Sequence, residues 1–234
     1  MSFHPVDTER EKRILSSASK LFVHYGFDKT TVSDIAREAG VSKGAIYLHF
    51  KSKEELLESL IVHELKVYAE KWLQLIEEDP DGGTIGGMYK NSLYALSASD
   101  FMAAIYRIDG RVLGNYLRKP GNFFESFSEG KENSDRSIFV SLMQEAGALR
   151  KDLDANVIAR IMDIIAYGLV GINEIYPGNS STTLEEVIEG IANIMDSALT
   201  PENGGNPDAA KMILRKIAND GRLRYEEMAN EADE

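Results

Sequence analysis

Cysteine is absent from the 234 residues of the chain. Its absence excludes a disulfide framework, a cysteine nucleophile and any zinc or iron–sulfur site built on thiolates. Histidine is scarce as well, and the four imidazoles are scattered along the chain, at His4, His24, His49 and His63. We therefore expect no metal site and no cofactor. The lack of cysteine is compatible with a reducing cytoplasm, where we expect the protein to act.

Long apolar runs are also lacking. The first residues, MSFHPVDTEREK, contain no apolar stretch after a basic start, so we expect no secretory signal. The most apolar segment, residues 161–172, is interrupted by Asp163 and is shorter than the ~18 apolar residues of a membrane span. This segment predicts a buried helix, and we expect no membrane partner. Only six prolines are present, so the chain can form long uninterrupted helices.

Charge is distributed unevenly along the chain, although the total is −12. Residues 1–53 contain nine Lys/Arg and six Asp/Glu, a net charge of +3, whereas residues 54–234 contain 17 and 32, a net charge of −15. An acidic protein is repelled by phosphate, but a basic first segment allows contact with nucleic acid at one end. The distribution is compatible with a protein that touches DNA with a small part of its surface.

Apolar residues recur with a helical period along nearly the whole chain. Because β-branched residues never alternate over a usable length, we predict an all-α protein of about nine or ten helices. Capping boxes at Thr8, Ser52 and Thr183 and a cap at Thr31 predict helix starts, and Gly26 and Gly40 predict helix ends. A third short helix is predicted from Ser42 through Phe50. Beyond the first eighty residues, helices are predicted near 84–98, 100–117, 134–148, 154–176, 183–199 and 208–228, with one short helix within 122–133.

The segment VSDIAREAGVSKGAIYLHF, residues 32–50, has the pattern of a helix-turn-helix. Ile35 and Ile46 are apolar anchors that hold two short helices together. The small side chain of Ala36 lets the second helix cross close over the first. Gly40 lies at the turn, where a positive φ is easiest without a Cβ. The segment therefore predicts a DNA-binding motif.

The residues that flank this motif resemble a known family. The matching runs are Ala18-x-x-Leu21-Phe22 through Val32, Ile35-Ala36 through Gly44, and Ile46-Tyr47-x-His49-Phe50-Lys51-Ser52-Lys53-Glu54-x-Leu56. From Ile14 to Leu57 the chain resembles the tetracycline-repressor (TetR) family of bacterial and archaeal regulators. The resemblance implies a three-helix helix-turn-helix DNA-binding domain at residues 1–53, joined by a long helix to a helical ligand-binding and dimerisation domain at residues 54–199. We assign residues 200–234 to a linker and a C-terminal helical extension.

Recognition helices enter the major groove with their N-terminal half nearest the bases. Lys43 and Gly44 lie in that half, and Tyr47 points outward if Ile46 and Phe50 point inward. Helix N-termini also bind phosphate. The predicted DNA contacts are Thr31, Ser33, Ser42, Lys43, Gly44, Tyr47, His49 and Lys53. Each has a purely structural alternative, since hydroxyls cap helices without DNA and the other side chains can be ordinary surface groups. Leu48 departs from the tyrosine that is common in the family at this position.

One such DNA-binding domain, residues 1–53, which we call the head, contacts about half of a DNA site. Two heads one helical turn apart, ~34–36 Å, are needed for useful affinity. The chain must therefore dimerise. The apolar helices 154–176 and 183–199 are the best candidates, and the resemblance implies a four-helix bundle at the same place. The predicted interface residues are Ile161, Ile165, Gly168, Leu169, Ile172, Val187, Ile191 and Ile194. The alternative is that these helices form only the core of a monomer.

Residues 60–150 hold most of the aromatic side chains, and the resemblance implies an effector cavity among their helices. The predicted lining residues are Tyr68, Trp72, Tyr89, Tyr94, Phe101, Tyr106, Arg107, Phe124, Phe127 and Met143. Aromatic residues at helical spacing are also typical of a core, and Arg107 can pair with Asp109 instead of an anionic ligand. A lipophilic or aromatic effector fits these side chains better than a sugar does.

These observations predict a transcriptional regulator, in its simplest form a repressor that leaves a palindromic double-stranded operator when a small-molecule effector binds. The chain has no Ser/His/Asp order, no phosphate-cradling glycine loop and no cluster of metal ligands, so we expect no enzyme. Two alternatives stay open. One is a DNA-binding protein that takes no ligand, and the other is a helical protein–protein adaptor in which the helix-turn-helix only packs.

Overall fold

A computed structural model describes the backbone of residues 5–128, 134–175 and 181–231 and the side chains of residues 9–125, 134–171 and 181–219. Within these residues the chain is helical and contains no strand, as predicted. The described part holds the α-helices α1 (Pro5–Tyr25), α2 (Val32–Ala39), α3 (Lys43–Tyr47), α4 (Lys53–Glu78), α5 (Ile85–Ser97), α6 (Asp100–Arg107), α7 (Gly110–Leu113), α8 (Phe123–Ser128), α9 (Asp135–Glu145), α10 (Ala155–Ile175), α11 (Leu184–Leu199) and α12 (Pro207–Glu231). A 3₁₀-helix, Gly114–Arg118, follows α7. None of the described helices is both long and apolar enough to cross a bilayer.

The helices group into two compact units. The first unit comprises Met1–Leu65 and Ser99–Gly130, and the second comprises Lys66–Ala98 and Lys131–Glu234. In the first unit, α1 packs against α2, α6 and α7, and α2 packs against α3. This grouping reflects packing. The predicted division into residues 1–53, 54–199 and 200–234 is one of function, and it stays a prediction.

The helix-turn-helix is held by its predicted caps. The Thr31 hydroxyl accepts a hydrogen bond from Asp34 N at 3.2 Å, and Asp34 Oδ2 accepts one from Thr31 N at 3.1 Å, which completes a capping box at the start of α2. Gly40 ends α2 with φ 66°, and Ser42 Oγ accepts a hydrogen bond from Ala45 N at 3.1 Å at the start of α3. The helix end at Gly26 is also confirmed.

Two boundaries in the first fifty residues differ from the prediction. The first helix begins at Pro5, so Thr8 lies inside α1 and does not cap it. Proline is favoured in the first turn of a helix because the N–H that it lacks would be unsatisfied there anyway. The third helix ends at Tyr47 rather than at Phe50, and Leu48 is its C-cap residue.

The single helix predicted over residues 100–117 is wrong, because the chain turns twice there. Ile108 adopts a left-handed conformation, with φ 51°, and Asp109 then caps α7 by accepting a hydrogen bond from Arg111 N at 2.8 Å. Gly114 also has a positive φ, and a Cβ on it would lie 2.5 Å from Asp28 Oδ2. Asp28 in turn accepts a hydrogen bond from Asn115 N at 3.1 Å. The break therefore gives three short helices where the apolar period predicts one.

In the second unit, α5 packs against α11, α9 packs against α10, and α12 packs against α9. The approach of α5 to α11 depends on Gly86, since a Cβ there would lie 2.3 Å from Ala192 O. Asp196 Oδ1 accepts a hydrogen bond from Gly86 N at 2.8 Å, where a carboxylate also interacts favourably with the helix dipole. The helices predicted near 84–98, 134–148, 154–176, 183–199 and 208–228 are confirmed within two or three residues at their ends.

Asp79, which follows α4, forms a largely buried polar cluster. It accepts hydrogen bonds from Asn91 Nδ2 at 2.8 Å and Asp81 N at 2.9 Å, and Lys90 Nζ lies 3.0 Å away. Burial alone would raise the pKa of Asp79, but the bonds from Lys90, Asn91 and Asp81 hold this pKa below its usual range. A carboxylate whose folded-state pKa is depressed stabilises the fold above its ordinary pKa, and this contribution is lost as the pH falls through the folded value.

We therefore expect Asp79→Asn to lower the free energy of unfolding by about 1–3 kcal/mol at neutral pH, because the Lys90 ammonium loses a buried partner. The difference from the parent protein should shrink as the pH falls below about 4, where Asp79 begins to protonate in the unfolded chain, and should vanish as the pH passes the lower pKa that Asp79 has in the folded protein. Urea denaturation of both proteins at neutral pH and below about pH 4 measures this difference in the free energy of unfolding. Asp81→Asn is the matched control, since it makes the same charge change on an exposed side chain in the same loop. A difference that does not change with pH would contradict the prediction.

Candidate functional site

The recognition helix α3 presents an exposed polar surface. Ile46 and Phe50 are buried as predicted, so Tyr47 points outward and is 47% exposed. Lys43 and Gly44 are exposed as well, and Lys43 Nζ lies 5.8 Å from the centroid of the Tyr47 ring. The lysine and the tyrosine therefore form one exposed patch on α3, a cation over an aromatic ring. Such a patch can contact phosphate, base edges and thymine methyl groups.

The predicted hydroxyl contacts differ in what they can still donate. Thr31, Ser33 and Ser42 are all exposed. The Thr31 hydroxyl already donates to Asp34 Oδ2 at 2.6 Å, so its proton is committed within the head. The Ser42 hydroxyl accepts from Ala45 N, which leaves its proton for an outside acceptor such as a phosphate. The sequence alone does not distinguish the two caps.

Within the first unit Lys53 is hydrogen-bonded and His49 is partly buried, and the sequence indicates neither. Lys53 Nζ donates to Phe27 O at 2.7 Å and to Thr30 O at 3.0 Å, and lies 4.1 Å from the centroid of the Phe27 ring. This lysine thus fastens the start of α4 to the loop between α1 and α2. His49 is only half-exposed, and within the described side chains its Nε2 is buried without a hydrogen-bond partner. DNA contacts by these two residues stay predictions.

Two further features of the head are visible only in the structure. Leu48 is 81% exposed beside Tyr47, so it adds an apolar group to the same surface. Gly44 is not required by packing, since a Cβ there would meet only Ser42 Oγ, at an ordinary contact distance of 3.8 Å. A glycine in a helix that no neighbour requires costs helix stability, and it marks a place where a ligand or another backbone can approach closely.

The second unit contains a cavity of about 220 Å³ among α4, α5, α9, α10 and α12. Aromatic rings form much of its wall: Tyr68 stacks on Trp72 with 6.3 Å between ring centroids, and Phe139 meets Trp72 edge-on at 6.0 Å. The lining residues are Tyr68, Trp72, Ile85, Met88, Tyr89, Ser92, Asp135, Arg136, Phe139, Met162 and Ile217. An apolar cavity with a few polar groups is typical of a small-molecule site.

Of the predicted lining residues, the structure brings Tyr68, Trp72 and Tyr89 to this cavity. Tyr94 lies in the same unit, where burial and Glu189 raise its pKa to about 12, but it does not line the cavity. Met143 is fully buried elsewhere. Phe101, Tyr106, Arg107 and Phe124 belong to the first unit, and the side chain of Phe127 lies outside the described residues. Arg107 lies 3.3 Å from Asp109, the pairing that the sequence left as an alternative.

Several lining residues were missed by the sequence prediction. Arg136 and Ser92 are polar residues in amphipathic helices, and nothing in their local pattern distinguishes them from surface groups. Ile217 belongs to the C-terminal extension, for which the sequence gives no role. These residues line the cavity because helices far apart in the chain pack together, which the local sequence does not reveal.

Large apolar side chains that nothing in the described chain covers lie exposed on α10 and on α11. We define this exposed apolar face by Val157, Ile161, Ile164, Tyr167, Val187 and Ile194, of which Ile164 is 62% and Ile194 67% exposed. Ile165, Gly168 and Ile191 are partly or fully exposed. Leu169 is only 6% exposed, so it packs within its own protomer and offers little surface to a partner. The side chain of Ile172 lies outside the described residues.

The described residues contain no group of three or more histidine or acidic side chains placed to hold a metal ion. The geometry at hand is therefore an exposed, capped recognition helix in one unit and an aromatic cavity in the other. Comparison with known proteins places this geometry in a family.

Residues 14–60 match the model of a family described as bacterial regulatory proteins, tetR family. The chain is 27% identical over 157 residues, 65% of its length, to the HTH-type transcriptional repressor KstR2 of Mycolicibacterium smegmatis, of which the match covers 74%. Its fold is similar to that of FadR from Bacillus subtilis in complex with stearoyl-CoA, with a TM-score of 0.58 and 19% identity over 80% of this chain and 97% of that one.

A second similar structure is the ketosteroid transcriptional regulator KstR2 of Mycobacterium tuberculosis, with a TM-score of 0.57 and 24% identity over 82% of this chain and 96% of that one. These structural likenesses concern the fold, whereas the match of residues 14–60 covers the recognition helix with its caps and anchors. The all-helical fold, the helix-turn-helix and the matching relatives agree. Residues 14–60 of this chain are a DNA-binding region of the tetR family of bacterial regulatory proteins.

Proposed function

We propose that the protein is a repressor that binds a palindromic double-stranded DNA operator as a homodimer and leaves it when a small lipophilic or aromatic effector binds. In this proposal the protein acts in the cytoplasm and catalyses no reaction. Lys43, Gly44, Tyr47 and the Ser42 hydroxyl make the principal contacts to DNA. Tyr68, Trp72 and Tyr89 bind the effector.

One observation carries this proposal: a single helix, α4, belongs to both elements. It begins at Lys53, which fastens it to the loop before α2, and its second half supplies Tyr68 and Trp72 to the cavity wall. A ligand that displaces the second half of α4 therefore acts on a helix whose start is fixed to the head. The ligand can shift the equilibrium between binding and released states only by its differential affinity for the two.

The comparisons support both halves of the proposal. The relative from Mycolicibacterium smegmatis is named a transcriptional repressor, and the Bacillus subtilis neighbour was solved with a bound acyl-CoA. An effector-responsive repressor is therefore the simplest function for this chain. The exposed apolar face of α10 and α11 supports the dimer, because large apolar side chains exposed together are typical of a protein–protein interface.

A selection from a random duplex library with the full chain tests the proposal. We expect enrichment of an inverted repeat whose half-sites are read by two heads about one helical turn, ~34–36 Å, apart. Binding should weaken steeply between ~50 and ~200 mM salt, since each neutralised phosphate releases counterions. Failure to enrich any sequence would contradict the proposal and favour an adaptor. Enrichment of a single half-site would contradict the dimeric part alone.

Gly44→Ala separates folding from DNA binding. The added methyl meets no neighbour closer than 3.8 Å, and alanine favours helix, so thermal stability should stay equal or rise by up to about 1 kcal/mol. Operator affinity should fall at least about tenfold, because the methyl group separates α3 from the DNA and weakens contacts worth ~1–3 kcal/mol each. Gly110→Ala is the control, as another helical glycine whose Cβ would meet nothing, in α7 and outside α10 and α11. Unchanged operator affinity in Gly44→Ala would show that the backbone of α3 does not approach the DNA closely.

A further inference from the structure

The polar groups in the wall of the cavity are bonded to the protein itself. Trp72 Nε1 donates to Met88 O at 2.9 Å, Ser92 Oγ donates to Tyr89 O at 2.7 Å, and the Tyr89 hydroxyl donates to Met162 O. Burial raises the pKa of the Tyr68 phenol, which remains neutral and hydrogen-bonds to Ser92. A polar ligand that enters this cavity leaves its hydrogen bonds to water and finds few donors to replace them.

The charged groups at the cavity are also paired. Arg136 Nε donates to Asp163 Oδ1 at 2.6 Å, and the guanidinium carbon lies 6.0 Å from the centroid of the Tyr89 ring. Asp135, the neighbouring lining residue, is likewise engaged within the chain. Among the described lining residues Arg136 is the one arginine. Its charge is balanced by Asp163, and the neighbouring Asp135 adds a second carboxylate, so these three side chains carry a net charge of −1. An anion entering here would compete with Asp163 for Arg136.

The volume of the cavity sets how much of a ligand it can enclose. A protein cavity of ~150 Å³ takes benzene, so one of about 220 Å³ takes a body of roughly ten non-hydrogen atoms. Aromatic and thioether side chains from Trp72, Phe139 and Met88 supply its walls. The cavity thus matches a compact apolar molecule in size as well as in polarity.

Because the polar groups of the wall are already hydrogen-bonded and Arg136 is paired, we infer that this cavity takes an uncharged apolar effector with few hydrogen-bonding groups and roughly ten non-hydrogen atoms. We also infer that Asp163 excludes anionic ligands of the same shape. Asp163 acts as a specificity residue, since it does so through Arg136. The inference names the effector class for the proposed repressor and rests on that function only where release from DNA is concerned.

Matched probes test it on the full chain. Isobutylbenzene and phenylacetate have the same shape but differ by one negative charge, and propylbenzene and 2-phenylethylammonium differ by one positive charge. We expect each hydrocarbon to bind at least about 100-fold more tightly than its charged partner. Arg136, Asp163 and Asp135 are already bonded within the chain, so a probe of either charge would lose its hydration and would have to displace an existing partner. The affinities are measured by ligand-observed NMR and by the quenching of the fluorescence of Trp72, the single tryptophan of the chain.

Two variants keep the inference falsifiable. Asp163→Asn should remove the carboxylate that accepts from Arg136 Nε and reduce the preference for isobutylbenzene over phenylacetate at least about tenfold, since the ligand's carboxylate can then take the place of Asp163. Asp152→Asn, which removes the partner of exposed Arg150 in the same unit, should leave the preference unchanged. Phe139→Ala enlarges the cavity and should favour a longer hydrocarbon such as hexylbenzene over propylbenzene.

Tighter binding of either charged probe in the parent protein would overturn the inference, and so would binding of no probe up to about 1 mM, the weak end of specific binding. An unchanged preference in Asp163→Asn would overturn the role of Asp163. These outcomes are separate from the proposed function, which is decided by operator binding without ligand. If the protein binds DNA but prefers phenylacetate, the proposed function stands and the inferred ligand class is wrong. If the protein binds no DNA, the proposed function is wrong, and the probe affinities still decide the ligand class.

Discussion

Lys43→Glu is expected to leave the protein folded and to weaken operator binding by roughly 30-fold to 10⁴-fold. The lysine is exposed and lies over the Tyr47 ring, so its removal should change stability by no more than about 0.5 kcal/mol. A glutamate in the first turn of α3 also interacts favourably with the helix dipole. A contact to DNA is worth about 1–3 kcal/mol, and a dimer loses two, which gives the expected range.

The salt dependence of binding gives a second readout. The dimer of Lys43→Glu should show a slope of log affinity against log salt that is shallower by about two, one for each lost phosphate contact. Lys151→Glu is the control, since it makes the same charge change at an exposed position in the second unit. Fluorescence anisotropy with a labelled operator measures both proteins. Equal losses in the two variants would mean that total charge, rather than α3, determines binding.

Ile164→Glu is expected to turn the dimer into a monomer. Ile164 is 62% exposed in the protomer, so the substitution should cost the isolated fold little. In a two-fold dimer through the exposed apolar face, the variant buries two carboxylates close together, and the dimer dissociation constant should rise at least about 10³-fold. Operator binding should then be lost over the range in which the parent binds, because a single head contacts one half-site.

Sedimentation velocity and operator titration together check this result. Met212→Glu is the control, because Met212 is 68% exposed on α12 and makes the same change from apolar to acidic outside α10 and α11. A dimeric Ile164→Glu protein with normal operator affinity would place the interface elsewhere. A monomeric variant that still binds the full operator as tightly as the parent would remove the need for a dimer.

Local features of the helix-turn-helix were predictable because they depend on near neighbours in the chain. The cap at Thr31 needs Asp34 three residues later, and the turn at Gly40 needs only a residue that tolerates a positive φ. The outward direction of Tyr47 follows from the burial of Ile46 beside it. Such features involve a few residues within one helical turn, so a pattern in the sequence is enough to find them.

The prediction of one helix over 100–117 failed where a distant group intervened: the chain turns next to Asp28, whose carboxylate accepts a hydrogen bond from the backbone N–H of Asn115. Lys53 shows a second contact of this kind, since it donates to two backbone carbonyls more than twenty residues away, while its contact with DNA stays a prediction. The local sequence specifies neither contact.

The sequence by itself determined the class of fold, the recognition helix with its caps, and the helices that expose apolar surface, because helical periodicity and capping are properties of neighbouring residues. The tertiary structure decided which side chains meet. It joined Tyr68 and Trp72 of α4 with Arg136 of α9 and Ile217 of α12 around one cavity, and it turned Leu169 inward while leaving Ile164 exposed. It also gave the C-terminal extension a place, since Ala210 and Leu214 are buried and Arg215 binds Glu77 at 2.6 Å. Contacts of this kind depend on how helices far apart in the chain pack together, and only the folded chain brings them within reach of one another.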